Sequence, residues 1–369
     1  MKSHILFIID GLPGGGAENV TLTLAKGLAE RGCVVTLLAL DKRRDYEIPD
    51  CINYFVDHDN GKGAFRKLSE LARRSASLDR LLPGLFDKYG LPSLVISSLH
   101  KTDRIVVRSK LLRSCNLWFC VHGMFSRSYL GNKRGFSLWF KKLKLKKVYK
   151  NQQMITVSDA VGKDLLQKVG IKPKTIQTIY NPFNISEIIQ RAAGENPYAA
   201  ESYIAHVGRF HQVKRHDRLL EAFALADLPG KLILVGQGEE SVAQQIKDKI
   251  SSLELQDKVI LAGFTQNPLP IIKGARMVAL SSDSEGLPSV LIEALMCHTP
   301  VISTNCPGGA AEIMSGELRP FLAELTSESL AEKMQKAWHS PPMIVEEMYQ
   351  RFSYDIILDK YLALQKAQY

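Results

Sequence analysis

Short apolar runs alternate along the chain with longer segments in which apolar residues recur every three or four positions. Between the first two runs, Val20, Leu24 and Leu28 follow the spacing of one helix face, and Gly32 is placed to cap that helix. Such alternation predicts parallel sheets covered by helices on both faces. The predicted strands are residues 4–9, 34–40, 93–98, 116–121, 154–158, 203–208, 231–236, 258–263, 276–282 and 300–305.

The alternation restarts after residue 200, which predicts two domains. A chain of 369 residues exceeds the roughly 250–300 residues at which single cores stop growing. Asn-Pro turns place the hinge within residues 182–200. The predicted fold class is α/β, with two Rossmann-like doubly wound domains facing across a cleft, where ligands bind at the carboxyl ends of strands. The predicted domains are residues 1–183 and 184–350, with a C-terminal helix in 351–369 that packs back on the first domain.

Composition excludes several protein classes. Apolar residues make up 45% and charged residues 23% of the chain, which is typical of a soluble globular protein rather than a disordered or fibrous one. No apolar run approaches the ~20 residues that span a bilayer. MKSHILFIID is followed by no signal-type cleavage site, so we predict a first strand and no export. The six cysteines lack metal-ligand or disulfide-framework spacing.

Positive charge is concentrated in the first half of the chain. Residues 1–200 carry 32 Lys and Arg against 17 Asp and Glu, whereas residues 201–369 carry 16 against 21. The asymmetry predicts an anionic partner for the first half only. Within residues 131–153, eight Lys and Arg residues mix with Leu, Trp and Phe, a pattern that resembles an interfacial membrane helix. The lysines predicted to meet an anionic membrane or the acceptor are Lys141, Lys142, Lys144, Lys146 and Lys147.

Two other interpretations of that basic segment stay open. Nucleic acid is an alternative polyanion, but no recognised nucleic-acid-binding motif accompanies the charge. An ordinary solvated helix face is the other alternative. We therefore expect a membrane surface and no nucleic acid as partner.

The first glycine cluster, GLPGGGAEN, lies between a strand and a helix but completes no phosphate-binding fingerprint. A dinucleotide motif counted from Gly14 needs glycine where Asn19 stands, and a P-loop needs Lys-Ser/Thr after Gly16. Exposed N–H groups at a helix N-terminus still favour phosphate. A simple tight turn is the alternative.

The second half offers a cationic loop and a pair of glutamates. Arg209 and Lys214 lie between a predicted strand and a helix, as a diphosphate site requires, although a solvated basic loop has the same pattern. Farther along, Glu285 precedes and Glu293 lies on a helix that Pro288 is predicted to start. Two carboxylates flanking a helix N-terminus suit a diphosphate with hydroxyls on either side. A second loop, NCPGGAAEIM, adds backbone donors.

These segments resemble those of the retaining glycosyltransferases of family 4, which adopt the GT-B fold. GGGAENV, HVGRFHQVKR, LVGQGE, AGF, EGLPSVLIEA and PVISTNCPGGAAEI occur in the family's order across nearly the whole chain. Glutamates at the ends of E-x-x-x-x-x-x-x-E are the family's hallmark, and Glu285 and Glu293 match them. One departure is Asn19 after Glu18, where many relatives have Arg, which leaves the acceptor contacts open.

The resemblance implies a role for each matching residue. Glu285 would contact the donor-sugar hydroxyls, Glu293 the nucleotide ribose, and His122, in CVHG, the region of the reacting sugar carbon. The base would meet the turn formed by Ala262, Gly263 and Phe264. The implied catalytic residues are Glu285, His122, Arg209 and Lys214, and the implied donor-binding residues are Gly15, Gly16, Arg209, Lys214, Gly263, Phe264, Glu285, Gly286, Leu287, Pro288 and Glu293.

The implied activity is transfer of a hexose or N-acetylhexosamine from a nucleotide sugar, with UDP expected, to a glycan or lipid-linked glycan through an α-linkage. The setting would be bacterial lipopolysaccharide, capsule or lipid-linked oligosaccharide synthesis, at the inner face of the cytoplasmic membrane. Neither a cofactor nor a metal is expected, because fixed cations and helix N-termini can stabilise a leaving diphosphate.

Two other functions and one competing motif remain as alternatives. A sugar-nucleotide epimerase shares this fold, although the glutamate spacing argues against it, and a non-catalytic nucleic-acid binder would need only the basic patch. Asp57-His58-Asp59 has the D-x-D form of metal-dependent glycosyltransferases of another fold. It lacks the supporting organisation of that fold, so we predict a solvated turn.

Overall fold

The computed structural model describes residues 2–57 and 66–366. The chain divides into two compact units. Unit 1 comprises Met1–Pro182 and Tyr354–Tyr369, and unit 2 comprises Phe183–Ser353. The division after Pro182 lies one residue before the predicted boundary, and the segment after it is helical and part of unit 2. The chain returns to unit 1 at Tyr354, whereas we predicted this change at residue 351.

The described part of unit 1 holds a seven-stranded parallel sheet in the order β3-β2-β1-β4-β5-β6-β7. A parallel sheet covered on both faces requires strands that are apolar throughout, and the central strands, such as HILFII, are buried along their whole length. The strands are β1 His4–Ile9, β2 Val34–Ala39, β3 Asn53–Val56, β4 Leu94–Ser98, β5 Leu117–Val121, β6 Gln153–Thr156 and β7 Thr175–Thr178. The helices are α1 Gly16–Glu30, α2 Arg66–Tyr89, α3 His100–Val106, α4 Gly135–Tyr149, α5 Asp159–Lys163, which continues as a π-helical turn, and the C-terminal α13 Tyr354–Lys366.

Unit 2 holds a six-stranded parallel sheet in the order β10-β9-β8-β11-β12-β13. Its core consists of the central strands and the inner faces of the helices, including fully buried Leu219, Leu234 and Leu295. The strands are β8 Tyr203–Val207, β9 Lys231–Val235, β10 Val259–Gly263, β11 Met277–Leu280, β12 Val301–Thr304 and β13 Leu322–Ala323. The helices are α6 Ile185–Ala192, α7 His216–Ala226, α8 Glu240–Ser252, α9 Leu269–Gly274, α10 Ser289–Met296, α11 Ala310–Ile313 and α12 Ser327–His339.

The predicted α/β class with two Rossmann-like doubly wound units is confirmed. Each predicted strand coincides with an observed one to within two residues at either end. The strands that we did not predict are β3, β7 and β13, which lie at sheet edges. Edge strands are buried on fewer sides and lack a continuous apolar run, as the half-exposed β7 sequence TIQT shows.

The C-terminal helix packs closely on α1 within unit 1. A Cβ atom at Gly27 would lie 2.5 Å from the Tyr354 hydroxyl and 2.7 Å from a Leu358 methyl, so only glycine allows this approach. The Arg31 guanidinium pairs with the Asp355 carboxylate at 2.6 Å next to this contact. The helix therefore contributes to the core of unit 1 although it lies at the far end of the chain.

Each sheet has one point at which the strand order reverses. In unit 1 the reversal lies between β1 and β4, and in unit 2 it lies between β8 and β11. Loops that leave neighbouring strands in opposite directions open a crevice there, which is where ligands bind in open α/β sheets. In unit 2 these loops carry Arg209, Lys214 and Glu285.

Candidate active site

The loops after β8 and β11 bring Lys214 and Glu285 into direct contact. The Lys214 Nζ donates to Glu285 Oε1 at 2.7 Å, and the Ser282 hydroxyl donates to the same oxygen at 2.6 Å. The Lys214 and Glu285 side chains are only 20% and 13% exposed, so water screens this charge pair weakly. Glu285 Oε2 accepts no hydrogen bond within the described residues. The pair therefore presents an ammonium and a free carboxylate oxygen at the switch point of unit 2.

The glutamate loop is tied to the loop after β12. Glu285 N–H donates to the Pro307 carbonyl at 3.1 Å, and Gly309 N–H donates to the Gly286 carbonyl at 2.9 Å. Gly308 has φ +128°, and a Cβ atom there would lie 1.7 Å from the Glu285 carbonyl oxygen. Only glycine permits this approach, so the second glycine loop acts as a support for Glu285.

A buried arginine fastens the β11 loop to α7. Arg218 donates to the Ser281 carbonyl at 2.8 Å and to Asp283 Oδ1 at 2.7 Å. The Ser281 hydroxyl in turn donates to the Lys214 carbonyl at 2.7 Å. Sequence reasoning missed Arg218, because an arginine on a helix is ordinarily solvated and the spacing carries no sign of its burial.

The LVGQGE segment lies directly over the loop that carries Arg209. A Cβ atom at Gly236 would lie 2.0 Å from the Gly208 carbonyl oxygen, and one at Gly238 would lie 2.0 Å from the Phe210 carbonyl oxygen. Phe210 N–H donates to the Gln237 carbonyl at 2.9 Å. These glycines hold the backbone on both sides of Arg209, whose own side chain is exposed and has no ion pair among the described residues.

Two buried histidines lie next to Lys214, and sequence reasoning missed both. His206 Nδ1 bonds to the Ala279 carbonyl at 2.9 Å, and the His206 and His216 rings meet edge to face at 4.9 Å. Burial lowers the pKa of His206 to about 4 and that of His216 to about 3. Both rings are therefore neutral at pH 7, and Lys214 supplies the positive charge beside Glu285.

Glu293 lies on α10, the helix that follows the loop carrying Glu285. Burial raises the pKa of its carboxyl to about 6, against the smaller lowering effect of the Arg191 charge. Pro288 is the N-cap of α10 and Ser289 its first residue, whereas we predicted that Pro288 itself starts the helix. Leu287 and Pro288 are buried, while Gly286 is partly exposed.

The predicted base-contacting residues Gly263 and Phe264 lie at the end of β10. Gly263 has φ +72° at the end of β10. The Phe264 side chain that follows is 62% exposed. An exposed aromatic ring next to a glycine turn has the free face that stacking on a planar base requires.

In unit 1, Gly15 caps α1 and Gly16 is its first residue. The Glu18 carboxylate folds back over this N-terminus, because its Oε2 lies 2.2 Å from the position of a Cβ atom at Gly15. A carboxylate there repels anions and so opposes phosphate binding at the glycine loop, which stays a prediction. Hydroxyl groups suit the place better, since they can donate to Glu18.

His122 follows β5, one strand away from the switch point of unit 1. Its Nε2 lies 3.5 Å from the Ser98 hydroxyl oxygen, and burial lowers the pKa of the ring to about 4. His122 is therefore a neutral imidazole at pH 7. Its role stays a prediction, as do the roles of Gly15 and Gly16.

Helix α3, which follows β4, carries a buried carboxyl group that sequence reasoning missed. Asp103 accepts hydrogen bonds from the Ser97 hydroxyl at 2.5 Å and the Tyr149 hydroxyl at 2.6 Å. Burial raises the pKa of Asp103 to about 8. Because Ser97 belongs to β4 and Tyr149 to α4, the carboxyl group links the basic helix to the central sheet.

Helix α4 carries the predicted basic surface. Exposed aromatic side chains lie on it, with Phe136 77% and Trp139 55% exposed. Lys141 and Lys142 donate to the Tyr129 and Lys168 carbonyls. By contrast, Lys144, Lys146 and Lys147 are exposed and donate to no described residue.

Three further observations concern metals, thiols and membranes. Within residues 2–57 and 66–366 there is no group of three or more His, Cys, Asp or Glu side chains that would hold a metal. Of the D-x-D motif, Asp57 accepts from the Ser77 hydroxyl at 2.8 Å, while His58 and Asp59 lie outside the described residues.

The cysteines are free thiols. Among the described helices, none combines the length and apolar character needed to cross a membrane.

Two protein-family models match the chain. The model described as glycosyl transferases group 1 matches residues 165–356, just over half of the chain. The chain belongs to this family. A second model, glycosyltransferase family 4, matches residues 14–187. The predicted enzyme class, a family 4 glycosyltransferase of GT-B type, is thereby confirmed.

Individual relatives match this glycosyltransferase over most of its length. It is 27% identical to the N-acetylgalactosamine-N,N'-diacetylbacillosaminyl-diphospho-undecaprenol 4-alpha-N-acetylgalactosaminyltransferase of Campylobacter jejuni, over 87% of this chain and 86% of that protein. It is 26% identical to the lipopolysaccharide core biosynthesis glycosyltransferase LpsE of Rhizobium meliloti, over 95% of each chain. Anabaena HepE, solved in complex with UDP and glucose, has the same fold, with a TM-score of 0.77 at 18% identity over 99% of this chain and all of that one.

Proposed function

We propose that this glycosyltransferase moves a hexose or N-acetylhexosamine from a UDP-sugar to a lipid-linked glycan, with retention of configuration and formation of an α-linkage. The observation that carries the proposal is the braced contact between Lys214 and Glu285 at the switch point of unit 2. A fixed ammonium next to a carboxylate with one free oxygen matches a ligand that joins a diphosphate to a sugar bearing hydroxyls.

The arrangement explains how the donor would be activated. Breaking the bond between the sugar and the nucleotide leaves negative charge on the diphosphate and positive charge at the sugar carbon. The Lys214 ammonium, together with exposed Arg209, would stabilise the first charge, and preorganised groups of this kind are the largest source of rate enhancement in many enzymes. The Glu285 carboxylate would accept hydrogen bonds from the sugar hydroxyls and hold the ring in place.

A lysine in this position also supports catalysis without a metal. The Lys214 ammonium is held within 2.7 Å of Glu285 and supplies the charge that a divalent cation supplies in metal-dependent transferases. We therefore propose that no metal or other cofactor is required, and that activity is unchanged by EDTA.

The relatives support the donor and acceptor classes. HepE was solved with UDP and glucose. The Campylobacter jejuni relative is named for a diphospho-undecaprenol acceptor and a 4-alpha-N-acetylgalactosaminyl product. The Rhizobium meliloti relative is named for lipopolysaccharide core biosynthesis. A lipid-linked or lipopolysaccharide acceptor in a bacterium agrees with these names.

The experiment is a donor panel read by nucleotide release. The purified protein is incubated with UDP-, GDP- and ADP-sugars and a synthetic lipid-diphosphate-linked sugar, and the product is analysed by NMR for its anomeric configuration. We expect UDP release that depends on the acceptor, with an α-linked product. A β-linked product contradicts retention, and an epimerised donor without nucleotide release contradicts transfer altogether.

The membrane partner is a separate part of the proposal. We propose that α4 docks peripherally on the anionic inner face of the cytoplasmic membrane. Exposed Phe136 and Trp139 supply apolar contact, while each nearby cation adds about 1 kcal/mol at an anionic leaflet. Lys144, Lys146 and Lys147 donate no hydrogen bond to a described residue and can contribute in this way, whereas Lys141 and Lys142 are already bonded to neighbouring carbonyls.

Vesicle sedimentation tests the docking. Binding should require anionic lipid and should fall between 0.1 M and 1 M salt, as the Debye length shortens from about 10 Å to about 3 Å. The Gln variant of Lys144 and Lys146 should bind at least fivefold less, and the charge-matched Gln variant of Lys141 and Lys142 should lose less. Binding that is insensitive to lipid charge and salt would leave a soluble acceptor as the better hypothesis.

A further inference from the structure

A cavity lies in unit 1, at the opposite edge of the sheet from His122. It has a volume of about 530 Å³, within the range of about 300–1,000 Å³ typical of ligand sites. Leu117 and Gln153, which begin β5 and β6, line it, as does Lys174 immediately before β7. Because β5 has five residues and a strand rises about 3.3 Å per residue, the two edges are about 15 Å apart. The cavity is therefore separate from the predicted contacts of His122.

Four cations line this cavity without a described acidic partner. They are Arg108, Arg113, Lys147 and Lys174, and no Asp or Glu belongs to the lining. Within the described part of the chain none of the four is paired with a carboxylate. The Arg108 guanidinium donates to the Arg104 carbonyl, a neutral oxygen.

Two acidic groups next to the segment that carries Arg108 are bonded to other residues. Asp79 accepts from the Ser109 hydroxyl and from the Lys110 N–H at 2.9 Å. Asp103 is fully buried and bonded to Ser97 and Tyr149. Burial and the like charge of Arg104 lower the pKa of Arg108. The cavity therefore concentrates positive charge that the fold leaves without compensation.

Neutral polar residues complete the lining. They are Asn151, Gln152 and Gln153, of which Gln153 already donates to Asn116 Oδ1 and to the Leu117 carbonyl. Asn151 has φ +57°, and its N–H donates to the Lys172 carbonyl at 2.9 Å, which holds this turn in place. A concave site with forked guanidinium donors, ammonium groups and amides has the chemistry that recognises phosphate oxygens.

We propose that this cavity binds a phosphate group, carried by a phosphomonoester or phosphodiester, as a site distinct from the donor site. No carboxylate lines it to accept sugar hydroxyls as Glu285 would. Phosphate is the ligand whose charge and acceptor geometry match the four cations.

The position of Lys147 favours a lipid headgroup as the source of the phosphate. Phe136, Phe140, Leu143 and Lys147 follow the spacing of one helix face, and their side chains are exposed. An apolar stripe that ends at a phosphate cavity fits a phospholipid, with its headgroup in the cavity and its acyl chains near the aromatic residues. This part rests on the proposed membrane docking of α4, whereas the phosphate site itself does not.

The test uses Cys115, which lines the cavity as a free thiol. A bound ligand should slow its alkylation by N-ethylmaleimide, measured peptide by peptide by mass spectrometry, while exposed Cys51 reports any general effect. The probes are monomeric dihexanoylphosphatidylglycerol and glycerol 3-phosphate at 50 mM salt. In the wild-type protein we expect at least fivefold protection of Cys115 and none of Cys51.

Two double variants of equal net charge separate the cavity from general electrostatics. Arg113→Gln with Lys174→Gln removes two lining cations and should abolish protection. Lys110→Gln with Lys172→Gln removes two exposed cations that do not line the cavity, so protection should persist. No protection in the wild-type protein, or equal protection in both folded double variants, would overturn the site.

The two probes then distinguish the source of the phosphate. Protection by the phospholipid at tenfold lower concentration than by glycerol 3-phosphate supports a lipid headgroup. Equal protection by both supports the phosphate site and assigns its ligand to soluble phosphate compounds. Neither nucleotide release nor vesicle sedimentation enters this measurement, so failure of the proposed transfer reaction or of docking is scored independently.

Discussion

Glu285 and His122, which follow strands at the carboxyl edges of the two sheets, differ in how firmly they are held. In unit 2, Glu285 is held by Lys214, by Ser282 and by the glycine loop at Gly308, and each contact is 3.1 Å or shorter. In unit 1, the hydrogen bond that the His122 side chain makes among the described residues, to the Ser98 hydroxyl, is longer, at 3.5 Å. A braced site reacts to small changes because its groups are held for one ligand. A loosely held side chain tolerates change, as expected where the bound molecule differs between relatives.

The largest effect should follow from breaking the braced pair. Glu285→Gln removes the charge that holds Lys214 and the free acceptor oxygen, and Arg209→Ala removes a diphosphate cation. Each should lower kcat/KM for nucleotide release by about 10²-fold or more, as loss of one preorganised donor does.

Exposed Glu317, changed to Gln, is the matched control for Glu285→Gln and should retain full activity. Circular dichroism must first show that each variant is folded. Wild-type rates in folded Glu285→Gln and Arg209→Ala would remove unit 2 from the reaction.

The next effect tests the support beneath Glu285. Gly308→Ala would place a methyl group 1.7 Å from the Glu285 carbonyl oxygen, so the loop must move. We expect a loss of about 3 kcal/mol in stability, or about 8 °C in Tm, and a loss of kcat of tenfold or more. Gly316→Ala is the control, because Gly316 also has positive φ but open space around its Cβ position. Equal effects in both variants would reduce the role of Gly308 to backbone strain.

Much of this architecture is predictable from sequence, since continuous apolar runs mark the central strands. The edge strands are not, because β3 and β7 are half-exposed and carry polar residues. At the site, Lys214 and Glu285 are predictable as residue types in strand-to-helix loops. Their contact across 71 positions of sequence is not.

The supporting residues are harder still to predict. Buried Arg218 and His206 have the same sequence neighbourhood that solvated side chains have, and only the packed structure shows their partners. The cavity cations are equally hard to predict. Arg108 and Lys174 are far apart in sequence, and they line one cavity because of the order of the strands in the sheet.

A third prediction uses the raised pKa of Glu293, about 6. As the pH falls through 6 the carboxyl becomes protonated, and the neutral group accepts a hydrogen bond from a ribose hydroxyl more weakly than the carboxylate does. Donor binding should therefore weaken about tenfold from pH 8 to pH 5, and Glu293→Gln should flatten this dependence. Isothermal titration with a nucleotide sugar measures it. A pH dependence that persists unchanged in the Gln variant contradicts the assignment.

The raised pKa of Glu293 also affects the free energy of unfolding. A carboxyl whose pKa is raised from 4.5 to about 6 favours the folded state when protonated, and that contribution is lost as pH rises from about 4.5 to 6. Glu293→Gln should therefore stabilise the protein by about 1–2 kcal/mol at pH 8 and have no effect below pH 4.5. Denaturant unfolding at the two pH values provides the measurement.

Substitution of His122, at the carboxyl edge of the unit 1 sheet, should lower kcat less than substitution of Glu285. His122 is neutral above pH 5, since burial lowers its pKa to about 4, so it acts as a hydrogen-bonding group and not as a cation. His122→Ala should lower kcat about fivefold, and His122→Asn should retain most activity because an amide can replace the ring nitrogen. The kcat profile of the wild-type enzyme should contain no His122 titration near pH 6.5. A fully active His122→Ala would make His122 a structural residue at the end of β5.

The smallest effect is expected at Asp57, the first carboxylate of the D-x-D motif. Its carboxylate accepts a hydrogen bond from the Ser77 hydroxyl on α2, which accounts for this residue without a metal. If Lys214 supplies the charge for the leaving diphosphate, Asp57→Asn should leave kcat/KM within twofold of wild type. Activity should also be insensitive to EDTA in both proteins. A loss of activity in Asp57→Asn that added Mg²⁺ or Mn²⁺ restores would transfer the diphosphate chemistry from unit 2 to a metal site in unit 1, and the contrast between the two units would be reversed.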